Sequence, residues 1–297
     1  MKVTSLPDAE PRPRKVAVGT FDGVHLGHRE VIRGNDTVLT FDPHPLSVVA
    51  PQAVPKLLDS PAIKRDLIAG LGVEELVTIP FDREFASKSA DEFVDDVLVE
   101  KLGATHVSVG ENFRFGKGAK GDPTLLKAHS EFETRVVPLV EVENETVSST
   151  HIRGLVAAGD VERAARFLGA PFMLEGEVVT GDKRGRELGF PTANIVPADQ
   201  LAHPGHGVYA AWAHGQMAAV NVGVRPTFET GRGLLVEAYL IDFDADLYGQ
   251  TLRIAFAKRL RGERRFESAD TLVKQMERDV EDAREVLLRF RADVPDR

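Results

Sequence analysis

GTFDGVHLGH, Gly19 to His28, follows the apolar run Val16-Ala17-Val18 and packs three glycines, two histidines and an aspartate into ten residues. A short β-branched run that ends in a glycine-rich turn is how a buried parallel strand delivers its chain to a ligand at its carboxyl end. Glycines at 19, 23 and 27 let the backbone come close to such a ligand, and a helix that starts there aims free N–H groups at an anion. The imidazoles of His25 and His28, at i and i+3, stand on one side of the helix start. Two readings of the pair are open. One is a metal site, for which no third ligand stands at a recognisable spacing. The other is a pair of donors gripping a phosphoryl group as charge builds on its oxygens.

Outward from this stretch, Val38–Phe41, Leu76–Ile79, His106–Val109 and Val136–Pro138 read as further strands. Helical stretches lie between them: Ser89-Ala90-Asp91-Glu92 is a capping box that opens a helix to about Leu102, and Ala62–Leu71 carries apolar residues at helical spacing. This alternation implies an α/β domain over residues 1–168 with a parallel sheet covered on both faces. Beyond Gly169-Ala170-Pro171 the texture changes. Leu174–Val179, Gly207–Trp212, Met217–Val222, Leu234–Leu240 and Leu252–Phe256 are short strands broken by Gly, Pro and Asp turns, which suits a small antiparallel β-barrel over residues 172–297. A closing helix, Glu267–Phe290, sets Leu272, Met276, Val280, Ala283, Leu287 and Phe290 on one face that should dock on the barrel. No internal repeat is visible, and the only biased segment is the Pro/Arg-rich stretch 7–14.

With 297 residues and 42% hydrophobic content the chain can bury two ordinary cores, and with no cysteine it has neither disulfides nor thiolate metal sites. The start MKVTSLPDAEPRPRK lacks the apolar core of a signal peptide, and no run approaches the roughly 20 apolar residues of a spanning helix. A cytoplasmic protein with no membrane partner is expected. A net charge of −9 would repel phosphate backbones, and one Trp and three Tyr offer little for base stacking, so no nucleic acid is expected as partner. A small anion needs only local donors, and basic residues cluster at 114–120, 183–186 and 258–265. Taken alone, each of these runs reads by default as solvated surface.

HLGH after a strand and a glycine turn resembles the HxGH signature of class I nucleotidyltransferases. TFDPHP at 40–45, GENFRFGKGAKGD at 110–122 and SSTHIR at 148–153 resemble, in order, the FMN adenylyltransferase half of the bacterial bifunctional riboflavin kinase/FAD synthetase family. The resemblance implies a Rossmann-like nucleotidyltransferase domain that transfers AMP from ATP to the phosphate of FMN. His25, His28 and Arg153 would then be catalytic. Gly19, Phe21, Asp22, Gly23, Gly27, Phe41, Asp42, His44, Asn112, Ser149 and Thr150 would bind nucleotide or flavin. Each also has a plainer reading: Ser149 and Thr150 as an ordinary helix cap, His44 as a structural histidine, and Phe113 and Phe115 as core. Gly110–Lys117 is not a P-loop, because neither its spacing nor the residue after Lys117 fits. Between His28 and Thr40 stand eleven residues, REVIRGNDTVL, where the family has a longer crossover helix. The helix after His28 should therefore be about two turns, ended by Gly34-Asn35.

In the second half GDKRGRELGFPTAN, 181–194, is similar to the GxxxGRxLGFPTAN signature of riboflavin kinases, and GVYAAW, AVNVGVRPTF and VEAYLIDFDADLYG follow as in that family. Thr192 and Asn194, two apart in extended chain, point to one side and can both address a metal and its phosphates. The resemblance makes Thr192 the magnesium residue, with Asn194 assisting. It places Gly181, Gly185, Arg186, Gly189 and Pro191 around the nucleotide or flavin, and gives Glu237 the proton of the riboflavin 5′-hydroxyl. Glu237 is otherwise readable as the solvent-facing residue of a two-faced strand. The segment 259–266, RLRGERRF, would close over flavin or nucleotide. The chain is thus expected to be bifunctional, with Mg2+ and ATP serving both steps, riboflavin as substrate, and FMN and FAD passing through as substrate and product. Its rival is a riboflavin kinase with a nucleotide-binding but inactive first domain. Oligomeric state is not legible.

Overall fold

The computed structural model describes residues 1–180, 189–227 and 231–292. Contacts divide the chain into two units, Met1–Pro55 with Pro61–Ser149, and Lys56–Ser60 with Thr150–Arg297.

The first unit is built on six parallel strands: β1 (Lys2–Ser5), β2 (Arg14–Val18), β3 (Thr37–Asp42), β4 (Glu75–Pro80), β5 (Ala104–Gly110) and β6 (Glu133–Val137), in the order β1-β4-β3-β2-β5-β6. Successive side chains of a strand face opposite sides. Val16 and Val18 therefore join one buried cluster with Phe93, Val97 and Leu98, while Ala17 joins another with Val31, Ile32 and Ile68. Both faces are covered, as a parallel sheet requires. From β2 the chain winds outward through β3 and β4, whereas β5 and β6 lie on the other side, so strand order reverses between β2 and β5. Ligands of open α/β sheets bind at the carboxyl ends around such a reversal. GTFDGVHLGH leaves β2 there, TFDPHP ends β3, and GENFRFGKGAKGD begins at the last residue of β5.

The capping box forms as expected: Ser89 Oγ accepts from Glu92 N–H at 3.1 Å and Glu92 Oε2 accepts from Ser89 N–H at 2.6 Å. The helix it opens, Ala90–Glu92, runs on as a π-helix, Phe93–Lys101, whose wider turns bury Phe93, Val94, Val97 and Leu98. Strand β1 was not foreseen. It is held by its ladder to β4 and by Thr4, whose Oγ1 donates to the buried Glu75 at 2.7 Å. A two-stranded ribbon, β7 (Glu141–Val142) and β8 (Glu145–Thr146), follows β6.

The second unit holds a closed antiparallel barrel of β9 (Phe172–Val179), β10 (Ala193–Pro197), β11 (Gly207–Ala213), β12 (Gln216–Thr227), β13 (Gly231–Leu240) and β14 (Thr251–Arg261), in the order β10-β13-β12-β11-β14-β9. Leu252, Ile254 and Phe256 of β14 are buried in alternation, as read from sequence. The helix Ala269–Ala292 docks through Val280, Ala283 and Leu287 on Ala210, Ile241 and Ala257. Its periodicity misleads at the end, where Phe290 is 38% exposed because the helix runs on past the barrel surface it covers. The segment Lys56–Ser60 adds to this unit: Leu57 N–H donates to Gln200 O at 2.8 Å, Ala202 N–H to Leu57 O at 2.7 Å, and Ser60 Oγ to Glu175. Among the described residues no helix is long and apolar enough to cross a membrane.

Candidate active sites

Beyond β2 the chain turns sharply before its helix. Phe21, Gly23 and Val24 take φ of 49°, 89° and 39°. Two non-glycine residues hold such left-handed conformations only when their surroundings impose them. The surroundings do so by burial, since Phe21 and Val24 are 2% and 0% exposed. The turn sets His25 at the N-cap of the helix Leu26–Ile32, where its Nδ1 accepts from His28 N–H at 3.2 Å. A ring nitrogen that accepts carries no proton, so His25 is the neutral imidazole protonated at Nε2. The His25 and His28 rings stack, with centroids 3.5 Å apart and planes 15° from parallel, and Phe21 meets His28 edge-on at 5.4 Å. Gly27 permits the arrangement, because a Cβ there would lie 3.3 Å from Cε1 and Nδ1 of His25.

His28 Nδ1 is buried and has no hydrogen-bond partner among the described residues. Burial first, then the repulsion that would arise with His25 if both rings were charged, then the ammonium of Lys64 hold His28 well below the ordinary histidine pKa. Two rings in such contact do not both ionise. The resting pair is a neutral donor–acceptor stack whose buried nitrogen lacks a partner, an arrangement that costs about 1–3 kcal/mol unless something completes it.

Two neighbouring elements fix the same loop. Ser149 Oγ, at the start of the helix Ser149–Ala158, donates to the carbonyl of the buried Asp22 at 2.9 Å, so this hydroxyl braces the loop. Thr150 Oγ1 accepts from Arg153 Nη1 at 3.3 Å. Thr20 O accepts from Thr40 Oγ1 at 3.3 Å and from Lys64 Nζ at 3.0 Å. Lys64 escaped the sequence reading because PAIKRDLIA reads as an amphipathic helix with a surface lysine. His44 caps the helix Pro45–Val49, its Nδ1 accepting from Leu46 N–H at 3.2 Å, which supports its structural reading. Asp42 and Asn112 are exposed at the carboxyl ends of β3 and β5. Phe41 begins a run of ring contacts through Phe81, Phe85, Phe93 and Phe115 to Phe113, with centroids 5.3 to 6.3 Å apart, and Phe113 and Phe115 belong to the core as expected.

In the second unit barrel closure composes the site. Glu237 of β13 lies between Asn194 of β10 and Asn221 of β12, each its direct cross-strand partner. Three polar residues thus stand in one row across three strands. Asn221 Nδ2 donates to Glu237 Oε2 at 3.5 Å, and Asn194 is nearly buried at 9% exposure. Two residues along, Tyr239 packs toward the C-terminal helix and meets the Phe190 ring at 5.3 Å. Ala193 pairs with Ala238, so Thr192, one residue before β10, stands level with Tyr239 on the face of Asn194 and Glu237. Gly189, with φ of 88°, and the exposed Pro191 lead into this strand. Asn221 was quoted within AVNVGVRPTF but given no task, because only the strand register reveals its neighbour. Gly181, Gly185 and Arg186 lie outside the described residues. Of the basic run 259–266, Arg259 donates to His206 O at 2.6 Å and Arg261 grips Asp279 at 2.8 and 2.6 Å. These two arginines brace the fold.

Among the described residues no cluster of three or more His, Cys, Asp or Glu could hold a metal by itself. The hydroxyl of Thr192 and the amide oxygen of Asn194 are hard, neutral donors. That set fits a magnesium ion carried chiefly by nucleotide phosphates.

Residues 8–151 match the FAD synthetase family and residues 168–287 the riboflavin kinase family. A curated protein of Listeria monocytogenes, named bifunctional riboflavin kinase/FMN adenylyltransferase, is 36% identical over 288 residues, covering 91% of each chain. One of the same name from Escherichia coli is 37% identical over 288 residues, again covering 91% of each. A crystal structure titled macrolide-efflux protein, from Streptococcus pneumoniae, superposes with a TM-score of 0.86 at 32% identity, covering 96% of this chain and 99% of that one. Its title speaks of that protein. The curated relatives agree on flavin chemistry, and the two family matches fall on the two motif-bearing halves.

Proposed function

Given that the chain belongs to the bifunctional riboflavin kinase/FMN adenylyltransferase family, we propose that the histidine stack of the first unit performs adenylyl transfer and the polar row of the second performs phosphorylation. The enzyme converts riboflavin to FMN with one ATP, then FMN to FAD with a second, releasing pyrophosphate. The observation that carries the division of labour is that each unit holds its own chemical cluster: His25 and His28 at the strand-order reversal, and Asn194, Glu237 and Asn221 across the barrel. The cytoplasm, where ATP is made, suits both steps.

In the barrel, Glu237 accepts the proton of the ribityl 5′-hydroxyl as the oxygen takes the γ-phosphoryl group, a task for a carboxylate within hydrogen-bond reach. Asn221 turns that carboxylate. Thr192 and Asn194 would hold magnesium, which when bound supplies charge neutralisation for the triphosphate. In the first unit the FMN phosphate is itself the nucleophile toward the α-phosphorus. The protein therefore positions it and spreads charge, with no covalent enzyme intermediate. His25 and His28 offer ring N–H groups to the transferring phosphoryl. Ser149 holds the loop that carries them through its hydrogen bond to the Asp22 carbonyl.

The test is a chromatographic time course with riboflavin, ATP and magnesium. Wild type should show FMN rising and giving way to FAD. Glu237→Gln should make no FMN from riboflavin yet convert supplied FMN to FAD, while His28→Ala should accumulate FMN. The opposite pattern in either variant refutes the assignment of sites.

A further inference from the structure

We propose that Phe21 is a positioning residue of the histidine pair: its ring sets the plane of the His28 imidazole, and residue 19 is glycine to seat that ring, so that neither residue touches nucleotide or flavin. The proposal rests on the assignment of the pair to adenylyl transfer made above.

An imidazole that handles a phosphoryl group is ordinarily oriented by the hydrogen bond that its second nitrogen makes. Nδ1 of His28 is buried and has no such partner among the described residues. Ring packing fixes His28 instead. Its plane lies 15° from that of His25 at a centroid distance of 3.5 Å, and 85° from that of Phe21 at 5.4 Å. A stack by itself leaves a ring free to turn about the stacking axis. A second ring at a right angle removes that freedom, and an edge-to-face pair is attractive in its own right.

Phe21 is itself fixed from two sides. It is 2% exposed and belongs to the buried cluster of Ala17, Val24, Val31 and Ile32. At the tip of its ring stands Gly19, where a Cβ would lie 3.0 Å from Cζ and 3.1 Å from Cε1. Gly19 is not among the residues with positive φ, so the ring rather than the backbone calls for glycine there. Phe21, by contrast, holds φ of 49°, a conformation that glycine would adopt without strain. What phenylalanine adds at that position, against the strain, is its ring. That ring offers almost no surface to a ligand, whereas His28 is partly exposed.

Three full-length variants test this: Phe21→Leu, which keeps an apolar side chain without the ring, Gly19→Ala, and the two combined. FMN adenylyltransferase kcat and KM are measured for FMN and for magnesium ATP, and hydrogen exchange at the amides of β2 and β3 reports whether the first unit is folded. Each single variant should lower kcat roughly tenfold or more, the scale of a misplaced reacting group. Both KM values should stay within about twofold, because no binding contact is removed. In the combined variant the added methyl falls in space that the ring has vacated, so it should be no slower than Phe21→Leu alone. A raised KM for FMN or ATP at unchanged kcat in either single variant makes that residue a ligand contact and overturns the proposal. Wild-type kcat in both single variants, or a combined loss equal to the product of the two single losses, overturns it as well. Where Phe21→Leu loses amide protection, Gly19→Ala decides alone, by the same split between kcat and KM. His28→Ala run alongside distinguishes the two failures: if it too retains adenylyl transfer, the site assignment is wrong, not merely the role of Phe21.

Discussion

Glu75→Gln is the substitution whose effect the structure lets one calculate. Glu75 is 3% exposed and accepts from Thr4 Oγ1 at 2.7 Å, Arg12 Nη2 at 3.1 Å and Arg14 Nη2 at 3.2 Å. Burial by itself would raise its pKa. The hydrogen bonds from Thr4, Arg12 and Arg14, with the charge of Arg14, outweigh that and hold it at about 2, against 4.5 for the free side chain. Each pKa unit is about 1.36 kcal/mol, so ionisation of Glu75 contributes about 3 kcal/mol to the first unit at pH 7. Because the folded pKa is the depressed one, the contribution is complete above pH 4.5 and lost as pH falls toward 2. At pH 3.5 about 2 kcal/mol should remain. Glutamine mimics the protonated carboxyl, so the gap between wild type and Glu75→Gln should be about 3 kcal/mol at pH 7 and close on acidification. The assay is native-state hydrogen exchange at the amides of β1 and β4, which the residue joins. A gap below about 0.5 kcal/mol, or one that does not narrow between pH 7 and pH 3.5, would refute the reasoning.

Four further outcomes are expected. Gly27→Ala places a methyl 3.3 Å from the His25 ring and should displace the stack, lowering FMN adenylylation roughly tenfold or more with riboflavin phosphorylation unchanged. Asn221→Ala should reduce kinase kcat roughly tenfold with little change in KM for riboflavin, since it releases the Glu237 carboxylate without removing it. Asp279→Ala strands the 13%-exposed Arg261 and should cost the barrel about 3–5 kcal/mol, visible as a lowered chemical midpoint of unfolding. ATP binding by calorimetry in buffers of different ionisation enthalpy should show proton uptake near pH 6.5 that His28→Ala abolishes, because an arriving anion raises the affinity of a ring that burial has depressed.

Where apolar periodicity decides a structure, the sequence was readable. Strands β2 to β6, the capping box at Ser89 and the docking face of the last helix were all legible for that reason. Where polar pairing decides it, reading failed. β1 offers one useful apolar side chain, Val3, which is itself 50% exposed, and is held by the Glu75 network instead. β10 follows Pro191 and ends on Pro197, so its short Ile195-Val196 run reads as loop until the barrel closes. The same limit applies at the sites. HLGH and FPTAN announce themselves as local motifs, but Lys64 reaches Thr20 across 44 residues and Asn221 meets Glu237 through strand register. Such partners are properties of the folded sheet and barrel.

The short crossover bears on whether the first unit is a working enzyme. Its helix, Leu26–Ile32, spans seven residues, and everything that shapes the histidine pair lies before Arg29: the left-handed turn, the cap at His25 and the contact across Gly27. The missing length falls after the pair. There Gly34 turns the chain with φ of 79°, and the Asn35 amide donates to Val31 O at 2.9 Å and Ile32 O at 3.1 Å. Arg135 adds hydrogen bonds to Glu30 O at 3.0 Å and Arg33 O at 2.6 Å, setting a cation at the negative end of the helix. Ile68 and Val73 pack with Val31 and Ile32 over the same face of the sheet. A domain kept only to bind nucleotide would have no use for a strained turn and a buried, unpartnered imidazole nitrogen, both of which destabilise it. Both lie beside a short but capped helix, and both fit a site that a bound phosphate completes.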